Sequence, residues 1–480
     1  MCEMKEPVFK KGANINRLIF VGTGSGCGKT TVVCAVLGAL KKAGKNPVSF
    51  KCGPDYIDPM FHSKVLGVKC KNLDLFMCGE NTVRYLLSEG SKSSGVSIIE
   101  GVMGMYDGIG EDGRSSSNHL SLETNTPAVL VVNCSGVSTS AAAVVQGFLN
   151  FEKNNIKGIL LNKISPAYYP MAKAYIERKT GVKVYGFMPR EPRANLESRH
   201  LGLVTAAEVE SLAEKIEILE GLASQYVDLP GLLELAESAD PMLYDDIEVK
   251  PLENVKIAVA MDTAFCFYYE DNLLLLQKLG ATLCPFSPLK DRYLPIGVHG
   301  LYLGGGYPEL YLEELSANSE LLERIKYSVQ AGMPTFAECG GFMYLQEYVE
   351  SLEGKRYDMA GVLKGGTRMT GGLIDFGYVT LTAKEDNVFC LSGGSINAHE
   401  FHYSKSEFPG NTFVAARPSG TERQCIHSDK SLFAGYPHVH LWGNIDFAKT
   451  FVEKCVSWAA RNTDAGESPA VQAAIDSASH

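Results

Sequence analysis

The chain has 480 residues, of which 45% are hydrophobic and 21% charged, and its formal net charge is −10. The length exceeds what one hydrophobic core organises, so two or three globular domains are expected. The acidic balance argues against general nucleic-acid binding, and no apolar run is long enough to cross a membrane. The 13 scattered cysteines, without zinc-type spacing or an export signal, indicate reduced thiols in a cytoplasmic protein.

The first motif is a glycine-rich loop between a predicted buried strand, Leu18–Val21, and a predicted helix, Val32–Lys42. Backbone N–H groups in such a loop bind phosphate, a lysine reaches the outer phosphates, and a threonine hydroxyl ligates Mg²⁺. Thr23 replaces the usual first glycine, a variant that resembles the loop of dethiobiotin synthetase. The residues expected to bind ATP are Gly24, Gly26, Gly28, Lys29, Thr30 and Thr31.

Polar loops follow the next predicted strands. Pro47–Phe50 leads into a loop that carries Lys51, Asp55, Asp58 and His62. In open α/β sheets ligands bind beyond the carboxyl ends of the strands, so this loop is expected near the γ-phosphate.

The third predicted strand, Ser97–Glu100, ends in a carboxylate and is followed by a glycine-rich loop with Asp107. A carboxylate at such a strand end commonly holds Mg²⁺. The predicted metal ligands are therefore Thr30, Asp55 and Glu100.

Three further apolar segments, Ala128–Asn133, Ile156–Lys163 and Val184–Met188, predict strands of a parallel sheet. After the last strand comes a basic cluster, interpreted either as a solvated loop or as a socket for substrate carboxylates. Its members are Arg190, Arg193, Arg199 and His200.

Residues 208–239 have helical spacing, and a new α/β pattern starts at Val255. The expected organisation is a lead-in (1–16), an ATP-binding α/β domain (17–239), a linker (240–254), a second α/β domain (255–461) and a disordered tail (462–480).

The second half contains an elbow motif centred on Cys339. Pro334–Leu345 predicts a strand, the cysteine, and a helix that opens on Gly340 and Gly341. Such a turn exposes the sulfur, and the helix N-terminus is expected to lower the pKa of the thiol.

Two further groups complete a hydrolytic site. His438 or His440 is expected to act as the base of a Cys–His pair. The backbone of Gly304, Gly305 and Gly306 is a candidate oxyanion hole.

The paired histidines of His399–His402 suggest a metal site, but their spacing is not that of a helical zinc motif. A substrate-pocket or structural role is favoured.

A Cys–His elbow hydrolyses an amide, and an ATP loop activates a carboxylate. Together they predict a glutamine-dependent amide synthetase, in which ammonia from glutamine displaces phosphate from a phosphorylated carboxylate.

In its motifs and their order, the chain resembles the cobyrinic acid a,c-diamide synthase family over about residues 15–460. The resemblance implies a P-loop, dethiobiotin-synthetase-like parallel-sheet domain joined to a class I glutamine amidotransferase α/β domain. It also implies that the a and c acetate side chains of a corrinoid, an anionic tetrapyrrole, are amidated with the use of ATP, Mg²⁺ and glutamine. The motifs that carry it are Gly22–Thr30, Lys51–His62, Glu100–Gly108, Gly305–Glu309, Glu338–Tyr344 and His399–Ser404.

The same resemblance implies individual roles. Cys339 is the nucleophile and His438 the triad histidine, while His440 stands where many class I relatives have glutamate. The positions that surround ATP, Mg²⁺ and the reacting carboxylate are Asp55, Tyr56, Glu100 and Asp107.

Two alternatives stay open. Nickel-sirohydrochlorin is amidated within the same family, so the motifs do not separate it from the corrinoid, which is favoured. A non-catalytic ATP-dependent scaffold is disfavoured because Lys29, Glu100, Cys339 and His438 are all present. Neither nucleic acid nor membrane is an expected partner, and homodimer formation is left open.

Overall fold

The computed structural model describes residues 10–194 and 206–463. Contacts divide the chain into two units, the first ending at Ile247 and the second beginning at Glu248. This boundary lies inside the expected linker, 240–254. Each unit contains a hydrophobic core of its own. None of the described helices has both the length and the apolar character needed to cross a membrane.

The first unit contains nine strands and nine helices within the described residues. Its strands are β1 (Lys10–Ala13), β2 (Arg17–Gly22), β3 (Pro47–Cys52), β4 (Cys70–Leu73), β5 (Val96–Glu100), β6 (Ala128–Asn133), β7 (Ile156–Asn162), β8 (Val184–Met188) and β9 (Met242–Asp245). Its helices are α1 (Lys29–Lys42), α2 (Ile57–Lys64), α3 (Leu75–Cys78), α4 (Glu80–Ser91), α5 (Ser117–Glu123), α6 (Ser140–Phe151), α7 (Tyr169–Thr180), α8 (Ala206–Tyr226) and α9 (Leu229–Glu237).

Seven of these strands form one parallel sheet in the order β4-β3-β5-β2-β6-β7-β8. The predicted parallel sheet is confirmed. Its central strands are buried along their whole length, which explains their continuous apolar sequences. Because β3, β5 and β2 are neighbours and run in the same direction, the loops that follow them leave the same edge. That edge carries the polar residues singled out in the sequence.

The expected lead-in and linker are partly wrong, because both contribute a strand to the first unit. β1 pairs antiparallel with β9, and Lys10 lies opposite Asp245. Each strand is four residues long and finds its partner only at the far end of the unit. Such a pairing gives no local sequence signal.

The predicted helix 208–239 is two helices, α8 and α9. The Oδ1 atom of Asp228 accepts the N–H of Gly231 at 2.9 Å, and Pro230 lies in the first turn of α9. An aspartate cap followed by proline starts a new helix, which ends the preceding one.

A buried arginine at the start of β2 ties the sheet to two segments distant in sequence. The Arg17 guanidinium is fully buried, and its Nη2 donates to the carbonyl oxygens of Asp240 at 2.6 Å and Thr124 at 2.8 Å. Its Nη1 donates to the carbonyl of Ile15 at 3.0 Å. Burial lowers the pKa of Arg17 to about 10.

We expect Arg17→Met to lower the free energy of unfolding of the first unit by about 3 kcal/mol, because the buried carbonyl oxygens lose a charged donor. Urea unfolding followed by circular dichroism measures the change. Lys11→Met is the control, since Lys11 pairs with Asp246 at the exposed surface and its loss should leave stability unchanged. Equal stabilities of the two variants would contradict this role of Arg17.

The second unit combines a mixed sheet, mostly parallel, with smaller antiparallel sheets. Its strands are β10 (Val255–Ala260), β11 (Phe265–Phe267), β12 (Ala281–Phe286), β13 (Gly300–Leu303), β14 (Gly305–Gly306), β15 (Thr335–Glu338), β16 (Tyr348–Glu350), β17 (Arg356–Asp358), β18 (Gly366–Met369), β19 (Asp375–Ala383), β20 (Ser395–His402), β21 (Ser404–Ser406), β22 (Phe413–Ala416), β23 (Glu422–Cys425), β24 (His427–Ser428), β25 (Leu432–Gly435) and β26 (His438–Val439). Its helices are α10 (Glu270–Lys278), α11 (Leu312–Ala317), α12 (Ser319–Gln330), α13 (Gly340–Leu345) and α14 (Ile445–Thr463).

The main sheet has the order β12-β10-β13-β15-β25-β24, with β24 alone antiparallel. A second sheet is antiparallel and has five strands in the order β23-β22-β19-β20-β26. It includes β26, the last strand before α14. The predicted α/β class is confirmed for this unit. α14 continues past the expected domain end at residue 461 to Thr463, and the rest of the expected tail lies outside the described residues.

Candidate active sites

The phosphate loop joins β2 to α1 in a form that requires glycine at its last turn. Gly28 has φ +92°, and a Cβ there would come within 2.0 Å of the Nδ2 atom of Asn162. The same Nδ2 donates to the carbonyl of Cys27 at 2.9 Å. A Cβ on Gly24 or Gly26 would meet no atom within 4 Å, so the loop is open on that side and has room for a phosphate.

Lys29 and Thr30 are both engaged at the start of α1. Lys29 is buried, and its Nζ donates to the carbonyl oxygens of Met103 and Gly24, the latter at 3.5 Å. Burial lowers the pKa of Lys29. Thr30 Oγ1 donates to Glu100 Oε1 at 2.5 Å, and Thr31, the next residue of α1, is half-buried.

Glu100, at the end of β5, belongs to a buried cluster of charges. Lys51 Nζ lies 2.6 Å from Asp58 Oδ2, 3.0 Å from Glu100 Oε1 and 3.9 Å from Asp55 Oδ2. Glu100 Oε2 lies 3.4 Å from His62 Nε2. The sequence placed four of these residues in the loop after one predicted strand and Glu100 at the end of another strand, and the structure brings all five together.

The charges in this cluster shift one another's pKa values. Burial, together with the nearby Asp58 charge, raises the pKa of Glu100 to about 7 against the opposing effect of Lys51. Burial alone would lower the pKa of Lys51, but the carboxylates of Glu100, Asp58 and Asp55 outweigh it and raise that pKa. Burial and the Asp58 charge also raise the pKa of Asp55. A further cation near these carboxylates would lower the pKa values of Glu100 and Asp55 again.

The remaining residues predicted for the ATP site have more local settings. Asp107 Oδ2 accepts the N–H of Gly104 at 2.8 Å and closes a turn in the loop after β5. Tyr56 is half-buried and directly precedes α2.

Of the basic cluster after β8, Arg190 is exposed, and the side chain of Arg193 pairs with Glu191 at 2.9 Å. Arg199 and His200 lie outside the described residues.

In the second unit, Cys339 stands between β15 and α13 in a strained conformation, with φ 48° and ψ −101°. Its N–H donates to the carbonyl of Gly435 at 2.8 Å. A Cβ on Gly341 would come within 2.2 Å of the carbonyl oxygen of Leu303, so the helix can pack this closely only with glycine. The strand, cysteine and helix of the predicted elbow are present.

The expected lowering of the Cys339 pKa is wrong. The side chain is 8% exposed, and burial, followed by the nearby charge of Glu309, raises the pKa of the thiol. The N–H of Gly340 acts in the opposite direction but is outweighed. The thiol therefore needs a partner that removes its proton.

The three glycines of the candidate oxyanion hole differ in their contacts. Gly304 already donates a hydrogen bond within the protein, whereas Gly305 and Gly306 lie beside the elbow. The N–H of Gly304 donates to Tyr268 Oη at 2.8 Å, which corrects its expected role as a donor to substrate. A Cβ on Gly305 would come within 2.4 Å of His438 Cε1. A Cβ on Gly340 would come within 3.3 Å of the backbone nitrogen of Gly306, so β14 adjoins both the histidine and the elbow.

The two candidate histidines are buried but differ in surroundings. His438 lies in β26, opposite His399 of β20, and its ring contacts Gly305. Burial, with the neighbouring histidines, lowers the pKa of His438 to about 3, so the ring is neutral at ordinary pH. The ring of His440 stacks on Tyr269 at 4.9 Å. Of the two, His438 is the one whose ring lies against β14, the strand that adjoins the elbow.

Sequence reasoning missed two supporting features of these sites. Asn162 braces the phosphate loop from the end of β7, a contact visible only once the strands are ordered. His402 stacks on Tyr436 with 3.7 Å between the ring centroids, and Ser404 Oγ donates to Tyr436 Oη at 3.0 Å. Tyr436 is close in sequence to His438. Because β20 pairs with β26, the His399–His402 segment lies beside His438.

Two family models match the chain in consecutive segments. Residues 18–204 match the CobQ/CobB/MinD/ParA nucleotide binding domain, and residues 256–445 match the CobB/CobQ-like glutamine amidotransferase domain. The protein is therefore a nucleotide-binding enzyme of the glutamine amidotransferase class, an ATP-dependent amide-forming ligase.

Relatives named cobyrinate a,c-diamide synthase align with nearly all of the chain. The protein of Caldanaerobacter subterraneus subsp. tengcongensis is 41% identical over 92% of this chain and 98% of its own length. The corresponding values are 40%, 91% and 99% for Clostridium tetani, and 38%, 93% and 99% for Thermoplasma volcanium. The chain belongs to the cobyrinate a,c-diamide synthase family.

Proposed function

We propose that the protein uses ATP and glutamine to amidate the a and c acetate carboxylates of cobyrinic acid, an anionic tetrapyrrole. The observation that carries the proposal is the match, across both units, to relatives named cobyrinate a,c-diamide synthase. The match covers 98–99% of the length of these relatives. The Cys339 elbow and the cluster around Glu100 supply the two chemistries that this reaction needs.

In the second unit, Cys339 Sγ attacks the side-chain amide carbon of glutamine. His438 takes the thiol proton and returns it to the leaving nitrogen, which departs as ammonia. Backbone N–H groups of β14 and of Gly340 stabilise the oxyanion, and water then releases glutamate from the thioester.

In the first unit, the glycine-rich loop and Lys29 bind the phosphates of ATP. A carboxylate oxygen of the substrate attacks the γ-phosphorus and ADP leaves. Ammonia then attacks the acyl carbon and phosphate leaves, which completes the amide. Mg²⁺ fits the oxygen-rich set Thr30, Asp55 and Glu100, and when bound it would neutralise phosphate charge.

The phosphorylated carboxylate is tested with cobyrinic acid whose carboxylates carry ¹⁸O. We expect one ¹⁸O atom to appear in inorganic phosphate for each amide formed, because the attacking oxygen leaves with phosphorus. Mass spectrometry of the phosphate measures the transfer. Amide formation with unlabelled phosphate would contradict this route.

The position of Gly305 against His438 gives a separate prediction. In Gly305→Ala the new methyl group would overlap the imidazole, so the ring must move away from its place beside the elbow. We expect glutamine-dependent amidation to fall by about a hundredfold or more, as for a misplaced catalytic group, while amidation with free ammonia is retained.

Gly372→Ala is the matched control, because a Cβ there meets no atom within 4 Å. Product formation with each nitrogen donor, measured by chromatography, gives the comparison. Unchanged glutamine use in Gly305→Ala would argue against His438 as the base.

A further inference from the structure

The side chain of Lys51 lies in the middle of the carboxylate cluster. It is 5% exposed, and its ammonium contacts Asp58 at 2.6 Å, Glu100 at 3.0 Å and Asp55 at 3.9 Å. A cation surrounded by three carboxylates in a buried site neutralises charges that would otherwise repel one another.

One oxygen atom serves two purposes in this arrangement. Glu100 Oε1 accepts hydrogen bonds from both Thr30 Oγ1 and Lys51 Nζ. Thr30, Asp55 and Glu100 are also the proposed ligands of Mg²⁺. The ammonium of Lys51 therefore contacts oxygen atoms that would also bind Mg²⁺. A metal ion bound at the same oxygens would be repelled by this ammonium, because both are cations.

The surrounding contacts favour movement of the lysine over movement of the carboxylate. Glu100 Oε2 faces His62 Nε2 at 3.4 Å, and His62 Nδ1 is paired with Ser49 Oγ at 3.0 Å. Asp58 is the closest partner of Lys51 and is not a proposed metal ligand. The ammonium can leave Glu100 and Asp55 while it keeps Asp58.

We propose that Lys51 is the resident counter-cation of this site and that a divalent cation displaces its ammonium from Glu100. The inference rests on the proposed function, because the metal is that of the ATP site. Its consequence is that divalent cations bind weakly to the nucleotide-free protein. ATP tightens that binding by supplying phosphate charge to both cations.

The test is a Mn²⁺ titration of the full-length protein without nucleotide, followed by the electron paramagnetic resonance signal of free Mn²⁺. We expect Lys51→Gln to bind Mn²⁺ at least about tenfold more tightly than the wild type, because the competing charge is gone. Lys64→Gln removes the same charge at an exposed position of α2 and should leave the affinity unchanged. Equal affinities of wild type and Lys51→Gln would overturn the inference.

Folding of the variant is part of the same test. We expect Lys51→Gln to melt at a lower temperature without a cation and to gain more from Mn²⁺ than the wild type does. A variant that Mn²⁺ fails to stabilise, or fails to restore to the folded state, would contradict the proposal.

A titration of the wild type with a non-hydrolysable ATP analogue separates the two proposals. Because the analogue itself chelates Mn²⁺, the quantity measured here is the Mn²⁺ that stays with the protein on gel filtration. Absence of protein-bound Mn²⁺ in the presence of the analogue would count against the ATP site itself. Binding with the analogue, together with an unaltered Lys51→Gln affinity, would count against the role of Lys51 alone.

Discussion

Replacement of Cys339 by alanine is expected to abolish amidation with glutamine and to spare amidation with free ammonia. In the proposed mechanism, the sulfur at the elbow between β15 and α13 attacks the glutamine amide. Direct attack by water on the amide would be much slower than this covalent route. Loss of such a nucleophile lowers the rate by about a thousandfold or more. Ammonia added to the solution bypasses this step.

The measurement is product formation with glutamine and with ammonium chloride, at equal ATP and substrate. Cys284→Ala is the control, since Cys284 lies in β12 and is partly exposed. It should retain both activities. If ammonia failed to support amidation by Cys339→Ala, the division of work between the two units would be wrong.

Replacement of Lys29 by alanine is expected to remove amidation with either nitrogen donor. Its buried ammonium lies within the loop, where the carbonyl oxygens of Gly24 and Met103 hold it. Without it, the charge that develops on the transferred phosphoryl group loses a cation that the proposed mechanism places at the phosphates, at a cost of about 3 kcal/mol or more in the transition state.

Steady-state rates with glutamine and with ammonia check this prediction. Lys42→Ala tests whether any lysine of α1 has the same effect, because Lys42 is exposed at the last turn of the same helix. Full activity is expected from that variant. Amidation by Lys29→Ala at the wild-type rate would refute the assignment of the ATP site.

Much of the architecture could be predicted from sequence because its signals are local. The strand, glycine loop and helix around Lys29 follow one another directly, as do the strand, cysteine and helix around Cys339. Mostly apolar runs identified six of the seven parallel strands of the first unit, but the short edge strand β4 was not predicted. The pairing of β1 with β9 had no such signal, since neither short strand is recognisable without its partner.

The functional sites depend more strongly on contacts between distant segments. Lys51 at the end of β3 meets Glu100 at the end of β5 only because these strands are neighbours, with the two residues directly opposite each other. The loss of Gly304 as an oxyanion donor depends on Tyr268, which the glycine pattern does not reveal.

The thiol of Cys339 shows why a local rule gave the wrong direction. A helix N-terminus lowers a thiol pKa when the sulfur is partly hydrated, but here burial is the larger effect. Cys339 is buried in the hydrophobic core of the second unit, where α13 packs against β13 and Gly341 lies against Leu303. That packing is a tertiary property.

The central claim is tested most directly by incubating the protein with ATP, Mg²⁺ and glutamine and following product mass for cobyrinic acid and nickel-sirohydrochlorin in parallel. We predict a product with two new amides from cobyrinic acid, formed with consumption of ATP, and none from the nickel compound. Amidation of the nickel compound alone, or ATP-dependent amidation of neither, would contradict the proposed function.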